Sequence, residues 1–278
     1  MLIFAASDPS CGAGAQADLL TIAALGAHPL TVITALTAQN SRGVEAVLPT
    51  APEFCVRQAQ TLLADTSVAA MKVSVLGCAK TARFVADILD AHPDIPCVLD
   101  PVLASGRGDA LSDAEIIAVL RERIIPRADL VTPNRAEARI LLRGVCRHGM
   151  DADNAPPEHL AQGLVALGAR HVFLTGGDAN EEKVENRLYD AAGEIYVNCW
   201  PRLPHHYHGS GCTLAAAAAA CLAQGHSVAE AVARADAYTW QTLFHAYRAG
   251  QAQHTPQRLF ALLPSAFSPS VPDRTASA

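Results

Sequence analysis

His208-Gly209-Ser210-Gly211-Cys212-Thr213 runs without a break into the alanine-rich stretch Leu214–Leu222. Two glycines bracket a hydroxyl residue, a thiol follows, and then a strong helix former repeats. The pattern predicts a tight loop that delivers its N–H groups to the first turn of a buried helix. Such a terminus attracts anions, because its first N–H groups lack helical partners and the helix dipole is positive there. A thiol at an anion site points to phosphoryl chemistry. The ordinary alternative for Cys212 is a small residue packed under the helix.

Outward from this stretch, short apolar runs alternate with amphipathic ones. Leu2–Ala6, His28–Leu36, Ala70–Leu76, Pro96–Leu99, Leu130–Thr132 and His171–Leu174 read as strands. Gln16–Leu25, Pro52–Asp65, Thr81–Ala91, Ser112–Ile125, Arg135–Leu142, Pro157–Leu167 and Val228–Tyr247 read as helices. Ser112 with Glu115 fits a capping box. Arg187–Asp190 and Glu194–Val197 read as a hairpin around Gly193. Apolar, non-alternating strands between helices imply a parallel sheet covered on both faces. A single domain over residues 1–265 is expected. The Ser/Pro-rich residues 266–278 read as a mobile tail.

The chain has 278 residues, half of them hydrophobic and 17% charged, with a formal charge of −6. That is enough apolar material for a large core. No broad basic surface is available to coat nucleic acid. No apolar run is long enough to span a membrane. The start, Met1–Ala6, lacks a basic n-region, which reads as a cytoplasmic protein. The cysteines at 11, 55, 78, 97, 146, 199, 212 and 221 form no CxxC pair and read mostly as reduced thiols. A homodimer is compatible with the composition.

Ligands of doubly wound sheets sit beyond the carboxyl ends of the strands, and the polar and glycine-rich residues fall there repeatedly. Strand one is followed by Ser7-Asp8-Pro9-Ser10-Cys11-Gly12-Ala13-Gly14, with Gln16 and Asp18 just beyond. Gly12 and Gly14 allow close backbone approach to a ligand, or form an ordinary turn capped by Asp8. After strand two, the Gln39 amide offers donors and an acceptor for the edge of a heterocycle. Asp100 at the next strand end orients Mg²⁺ or caps a turn. Asn134 and Glu137 belong to a metal–phosphate assembly or form a capping box. Thr175 and Gly177, with Asp178, offer a hydroxyl and N–H groups to phosphates.

These motifs resemble those of hydroxymethylpyrimidine/phosphomethylpyrimidine kinases in the ribokinase-like superfamily. The resemblance covers roughly residues 1 to 260. It is carried by Asp8–Gly14 with Gln16–Asp18, by Thr34–Asn40, by Val98–Val102, by Thr132-Pro133-Asn134 with Glu137, and by His208–Thr213. It implies a three-layer α/β/α sandwich with a mainly parallel sheet. It also implies transfer of the ATP γ-phosphoryl, with Mg²⁺, to hydroxymethylpyrimidine and then to its monophosphate, in thiamine biosynthesis. Gln39 then looks like the residue that reads the pyrimidine edge. Gly12, Asp18, Val75 and Val102 look like pocket lining. Gly209, Ser210 and Gly211 look like the anion hole, with Cys212 as general base. Asn134, Thr175 and Gly177 look like nucleotide-binding residues, and Glu137 and Asp100 like metal-site residues.

The chain departs from the family pattern in several places. Cys11 stands where glycine is common, and Val75 where methionine is common. Thr175 stands where a lysine is often found, which removes one phosphate cation. Arg107 is a candidate substitute, although a surface arginine is the plainer reading. His205-His206-Tyr207-His208 lacks the spacing of a tetrahedral metal site and reads as loop. A pyridoxal or pyridoxine kinase is the nearest alternative, and a non-catalytic sensor of the same fold is more remote. A Rossmann dehydrogenase is excluded, because position 17 is Ala where GxGxxG needs its last glycine and no acidic ribose ligand ends strand two.

Overall fold

A computed structural model describes residues 1–104, 108, 111–145, 152–177 and 182–262. The expectations for Arg107, Asp178 and the tail at 266–278 lie outside the described residues. The strands are β1 (Leu2–Ser7), β2 (Leu30–Asn40), β3 (Gly43–Pro49), β4 (Met71–Val73), β5 (Cys97–Leu99), β6 (Leu130–Val131), β7 (Val172–Leu174), β8 (Lys183–Asp190) and β9 (Gly193–Pro201). They form one nine-stranded sheet in the order β3-β2-β1-β4-β5-β6-β7-β8-β9. From β2 through β7 the pairing is parallel, and both outer edges are antiparallel.

Helices α1 (Gly14–Ala24), α7 (Ser210–Ala223) and α8 (Val228–Phe244) cover one face. The other face is covered by α2 (Pro52–Asp65), α3 (Ala79–Ala91), α4 (Ala114–Val119), α5 (Arg135–Leu142) and α6 (Pro157–Ala166). The three-layer sandwich is therefore as expected. Alternation in the strands assigns the two cores. Phe4, Val73, Leu99 and Val131 face the α2–α6 layer, whereas Ile3, Val98 and Leu130 face the α7 layer. Lys72 is in register between Ile3 and Val98, so a lysine enters the row beneath α7.

Helix α7 is the most buried of the described helices. Ala215 to Ala220 are each at most 1% exposed. Alanine at successive positions makes the helix narrow on all sides, so sheet, α1 and α8 all approach it closely. That fixes where its N-terminus ends up.

The structure corrects several local expectations. Strand two does not stop at Leu36 but runs to Asn40 and returns as β3, which sequence reading missed. Helix α4 is capped by Asp113, whose carboxylate accepts the Ile116 N–H at 2.8 Å, rather than by Ser112. Beyond Val119 the α-helix gives way to a π turn, Leu120–Ile124, and a 3₁₀ turn, Ile125–Arg127. Pro126 has no N–H to continue an α-helical ladder. Among the described residues no helix is long and apolar enough to cross a membrane.

Ala217→Leu inserts three carbons into a fully enclosed position. The expected cost is about 1–3 kcal/mol, read as a lowered urea midpoint with an unchanged slope.

Candidate active site

The loop after β1 is organised by Asp8, which is fully buried. One carboxylate oxygen accepts the Ser10 N–H at 2.8 Å and its hydroxyl at 2.7 Å. The other accepts the Ala13 N–H at 2.7 Å and pairs with His208 Nε2 at 2.9 Å. Burial alone would raise its pKa, but the hydrogen bonds from His208, Ser10 and Ala13 outweigh it and hold the carboxyl low. His208 thus does more than occupy a loop, since it joins the first loop to the one before α7. A Cβ on Gly12 would collide with the His208 ring, and one on Gly209 with the Gly12 carbonyl. Gly209 also has φ +81°, a conformation that glycine adopts without steric cost. The two glycine motifs are therefore one packed unit.

Behind this contact lies Arg258, only 2% exposed. Its Nη2 donates to the carbonyls of Gly12 at 2.5 Å and Gly209 at 3.4 Å. Nη1 reaches the Cys11 carbonyl at 3.3 Å, and Nε reaches Thr213 Oγ1 at 3.0 Å. The Thr213 hydroxyl in turn donates to the Gly209 carbonyl at 2.8 Å. No side chain caps α7, so the N–H groups of its first turn stay available to an anion.

Under that turn sits a buried charge cluster. Lys72 Nζ is 2.6 Å from Asp18 Oδ1 and 3.5 Å from Asp100 Oδ2. Ser74 Oγ is also 3.5 Å from Asp100. Burial disfavours the Lys72 ammonium, but the Asp18 carboxylate outweighs it, with help from Cys212 and Asp100, and the pKa is raised. The second Asp18 oxygen is buried without a hydrogen-bond partner. Cys212 lies against this cluster with 8% exposure. Burial pushes its thiol up to about 12; Lys72 opposes the rise, while Asp100 and Asp18 add to it. A helix N-terminus favours the thiolate, but desolvation outweighs that here. At neutral pH Cys212 is a thiol.

The other expected residues fall beyond the same strand ends. Val75 and Val102 join Ala6, Ala35, Val47 and Leu111 in a small apolar cluster there. Gln39 is near the tip of β2, past the last β1–β2 pair, and is half-buried. Asn134 and Thr175 are bridged side by side at the ends of β6 and β7. Gly177 lies two residues beyond, and its carbonyl accepts from Arg202 at 3.2 Å. Asn134 and Glu137 form the capping box of α5. Asp18, expected in the pocket wall, is fully buried as the lysine's ion-pair partner. Asp100 likewise already faces a cation. Among the described residues no three His, Cys, Asp or Glu side chains gather to hold a metal. Sequence reading missed Lys72 and Arg258, and took His208 only as loop. The first is a signal in hindsight, since a lysine inside the apolar run Ala70–Leu76 needs a buried partner.

An uncapped helix terminus, glycine loops and a small apolar cluster at one end of a mainly parallel sheet are the arrangement expected of a ribokinase-like small-molecule kinase. Comparison with known proteins narrows the class. The family described as phosphomethylpyrimidine kinase matches residues 8–257. A hydroxymethylpyrimidine/phosphomethylpyrimidine kinase from Escherichia coli is 36% identical over 249 residues, 88% of this chain and 91% of that protein. A probable thiamine biosynthetic bifunctional enzyme from Oryza sativa is also 36% identical, over 88% of this chain, but the chain spans only 44% of its length. Pyridoxal kinase from Staphylococcus aureus, solved with pyridoxal, superposes with a TM-score of 0.81 at 28% identity, covering 93% of this chain and 92% of that one. The chain belongs to the phosphomethylpyrimidine kinase family, and it is a phosphotransferase.

Cys11 has φ +58° and is the one non-glycine residue with positive φ among the described residues. A side chain there costs roughly 1–2 kcal/mol, partly offset by the greater freedom of glycine in the unfolded chain. Cys11→Gly is therefore expected to stabilise the protein by up to about 1 kcal/mol, read as a raised midpoint in chemical denaturation.

Proposed function

We propose that the protein transfers the γ-phosphoryl group of ATP to the hydroxymethyl group of 4-amino-5-hydroxymethyl-2-methylpyrimidine, and then phosphorylates the monophosphate to the diphosphate, in thiamine biosynthesis. The observation that carries this reading is the clustering of Val75 and Val102 beside the strand ends that carry the uncapped α7 turn. A small apolar cluster, suited to the face of a small ring, thus lies at the same end of the sheet as the uncapped helix terminus. Gln39 supplies the polar edge: its carbonyl accepts from the 4-amino group, which vitamin B6 compounds lack.

In this scheme the N–H groups of Ser210 and Gly211 face the transferring phosphoryl, where charge develops. Cys212 takes the proton of the attacking hydroxyl. Asn134, Thr175 and Gly177 line the nucleotide side. Mg²⁺ fits as an ion carried mainly by nucleotide phosphates and water, with Glu137 nearby, because Mg²⁺ commonly uses only one or two carboxylates. When bound it neutralises phosphate charge. Asp100 serves through its contact with Lys72 and Cys212 rather than as a direct ligand.

A pyridoxal kinase is the second reading, favoured by the Staphylococcus aureus structure. An ATP-consumption assay separates them, comparing hydroxymethylpyrimidine, its monophosphate, pyridoxine and pyridoxal at matched concentrations. Higher kcat/KM for either B6 compound would reverse the assignment.

Two variants test the roles. Cys212→Ala should lower kcat by about 10²–10⁴-fold, the range for a general base, with nucleotide binding retained. Because the thiol's pKa is raised to about 12, the thiolate grows as pH rises. Wild-type kcat should therefore climb between pH 7 and 9, by about tenfold per unit for full dependence on the thiolate; Cys212→Ala should lose that slope. A pH-independent wild-type kcat would remove the thiolate as base. Gln39→Leu should raise KM for the pyrimidine by about 10–100-fold, equivalent to roughly 1–3 kcal/mol, and leave KM for ATP unchanged. Equal losses for both would indicate a structural defect.

A further inference from the structure

Arg258 combines three properties that a structural arginine seldom has together. It is 2% exposed. Its guanidinium is shared among three carbonyls and one hydroxyl, and among the described residues it forms no ion pair with a carboxylate. Its acceptors belong to the two loops that make the candidate phosphate site. The residue lies one position past the span matched by the family comparison. The backbone holds it in place: the Tyr238 hydroxyl donates to the Arg258 carbonyl at 2.6 Å, and Gln257 N–H donates to the Thr242 carbonyl at 2.9 Å.

In a trans peptide the C=O and the following N–H point in opposite directions. A guanidinium that gathers the carbonyls of Cys11, Gly12 and Gly209 therefore turns the N–H groups of Gly12, Ala13 and Ser210 away from itself. Asp8 takes the Ala13 N–H. The Ser210 N–H is left facing outward at the first turn of α7. A guanidinium is always charged, and five donors in a rigid fork suit it to this task, where an ammonium does not. A buried positive charge just behind the α7 terminus adds to the field an anion meets there.

We infer that Arg258 is a positioning residue of the phosphate site. It acts through the Gly12 and Gly209 peptides to aim the anion-hole N–H groups, and it places a fixed positive charge behind the α7 terminus. The inference rests on the kinase reading above, but its binding test does not need the pyrimidine.

The test uses full-length protein with Arg258→Met and Arg258→Lys. Affinities for AMP and for the β,γ-methylene analogue of ATP are measured by titration calorimetry, and kcat with ATP and hydroxymethylpyrimidine. Arg258→Met should bind the ATP analogue about tenfold more weakly, AMP as wild type, and lose about 100-fold in kcat, the size seen when an anion-hole donor is lost. Arg258→Lys keeps the charge but not the fork, so it should recover analogue affinity while kcat stays at least tenfold low. Parallel loss of AMP and analogue affinity would reduce Arg258 to a structural strap and overturn the proposal. So would wild-type kcat in Arg258→Met. Should Arg258→Met fail to fold, wild-type kcat in Arg258→Lys overturns it alone. Wild-type protein that does not phosphorylate the pyrimidine would defeat the substrate reading instead, and the analogue-to-AMP affinity ratio would still decide the role of Arg258.

Discussion

The backbone of Gly209 rests directly on the backbone of Gly12 and Ala13, and the rest of the site takes its position from that contact. A Cβ at Gly209 would run into the Gly12 carbonyl, and one at Gly12 into the His208 ring, so the close approach depends on both glycines. Asp8 and His208 close the contact from one side at 2.9 Å, and Arg258 closes it from behind. The result holds the α7 terminus at a set distance from the end of β1. Helix α7 in turn owes its depth to successive alanines, which let it sit directly on the sheet.

A second constraint is buried charge. Lys72, Asp18 and Asp100 all have side chains at most 3% exposed. Charges removed from water are costly unless well paired, and replacement by apolar residues is often neutral or stabilising. Nothing about folding alone therefore demands this cluster. Its location does suggest why it is kept. It adjoins Cys212, whose protonation responds to both carboxylates and to the ammonium. The same desolvation that makes the cluster expensive keeps the thiol protonated.

The antiparallel edge strands give the sheet a different character from its parallel centre. The β2–β3 hairpin carries Gln39 past the end of β1, and its turn is tied to the C-terminal segment. Ser41 accepts the N–H groups of Ala252 and Gln253 at 3.2 Å each. Residues 252–258 thereby run from the hairpin turn, bridging Tyr207 through His254, to the buried Arg258. The β2–β3 hairpin and the loops around Gly12 and Gly209 are linked by this one segment.

Local order was legible in the sequence because it depends on neighbours in the chain. The alternation of apolar runs and amphipathic helices, the glycine loops, and the Asn134–Glu137 capping box all rest on spacings of a few residues. So does the gathering of Gln39, Val102, Asn134 and Cys212 at strand ends, once the sheet is known to be parallel. Strand β3 was not legible, because its register depends on the partner strand more than on its own mixed pattern. Arg258 was not legible either. It meets Gly12 from 246 positions away, and nothing near it in sequence marks it as buried. The charge states followed the same division. Sequence alone determined which groups ionise and placed Cys212 at a helix start, where a thiolate is favoured. Only the tertiary structure decided that desolvation outweighs the dipole, because burial is set by everything that packs around a residue.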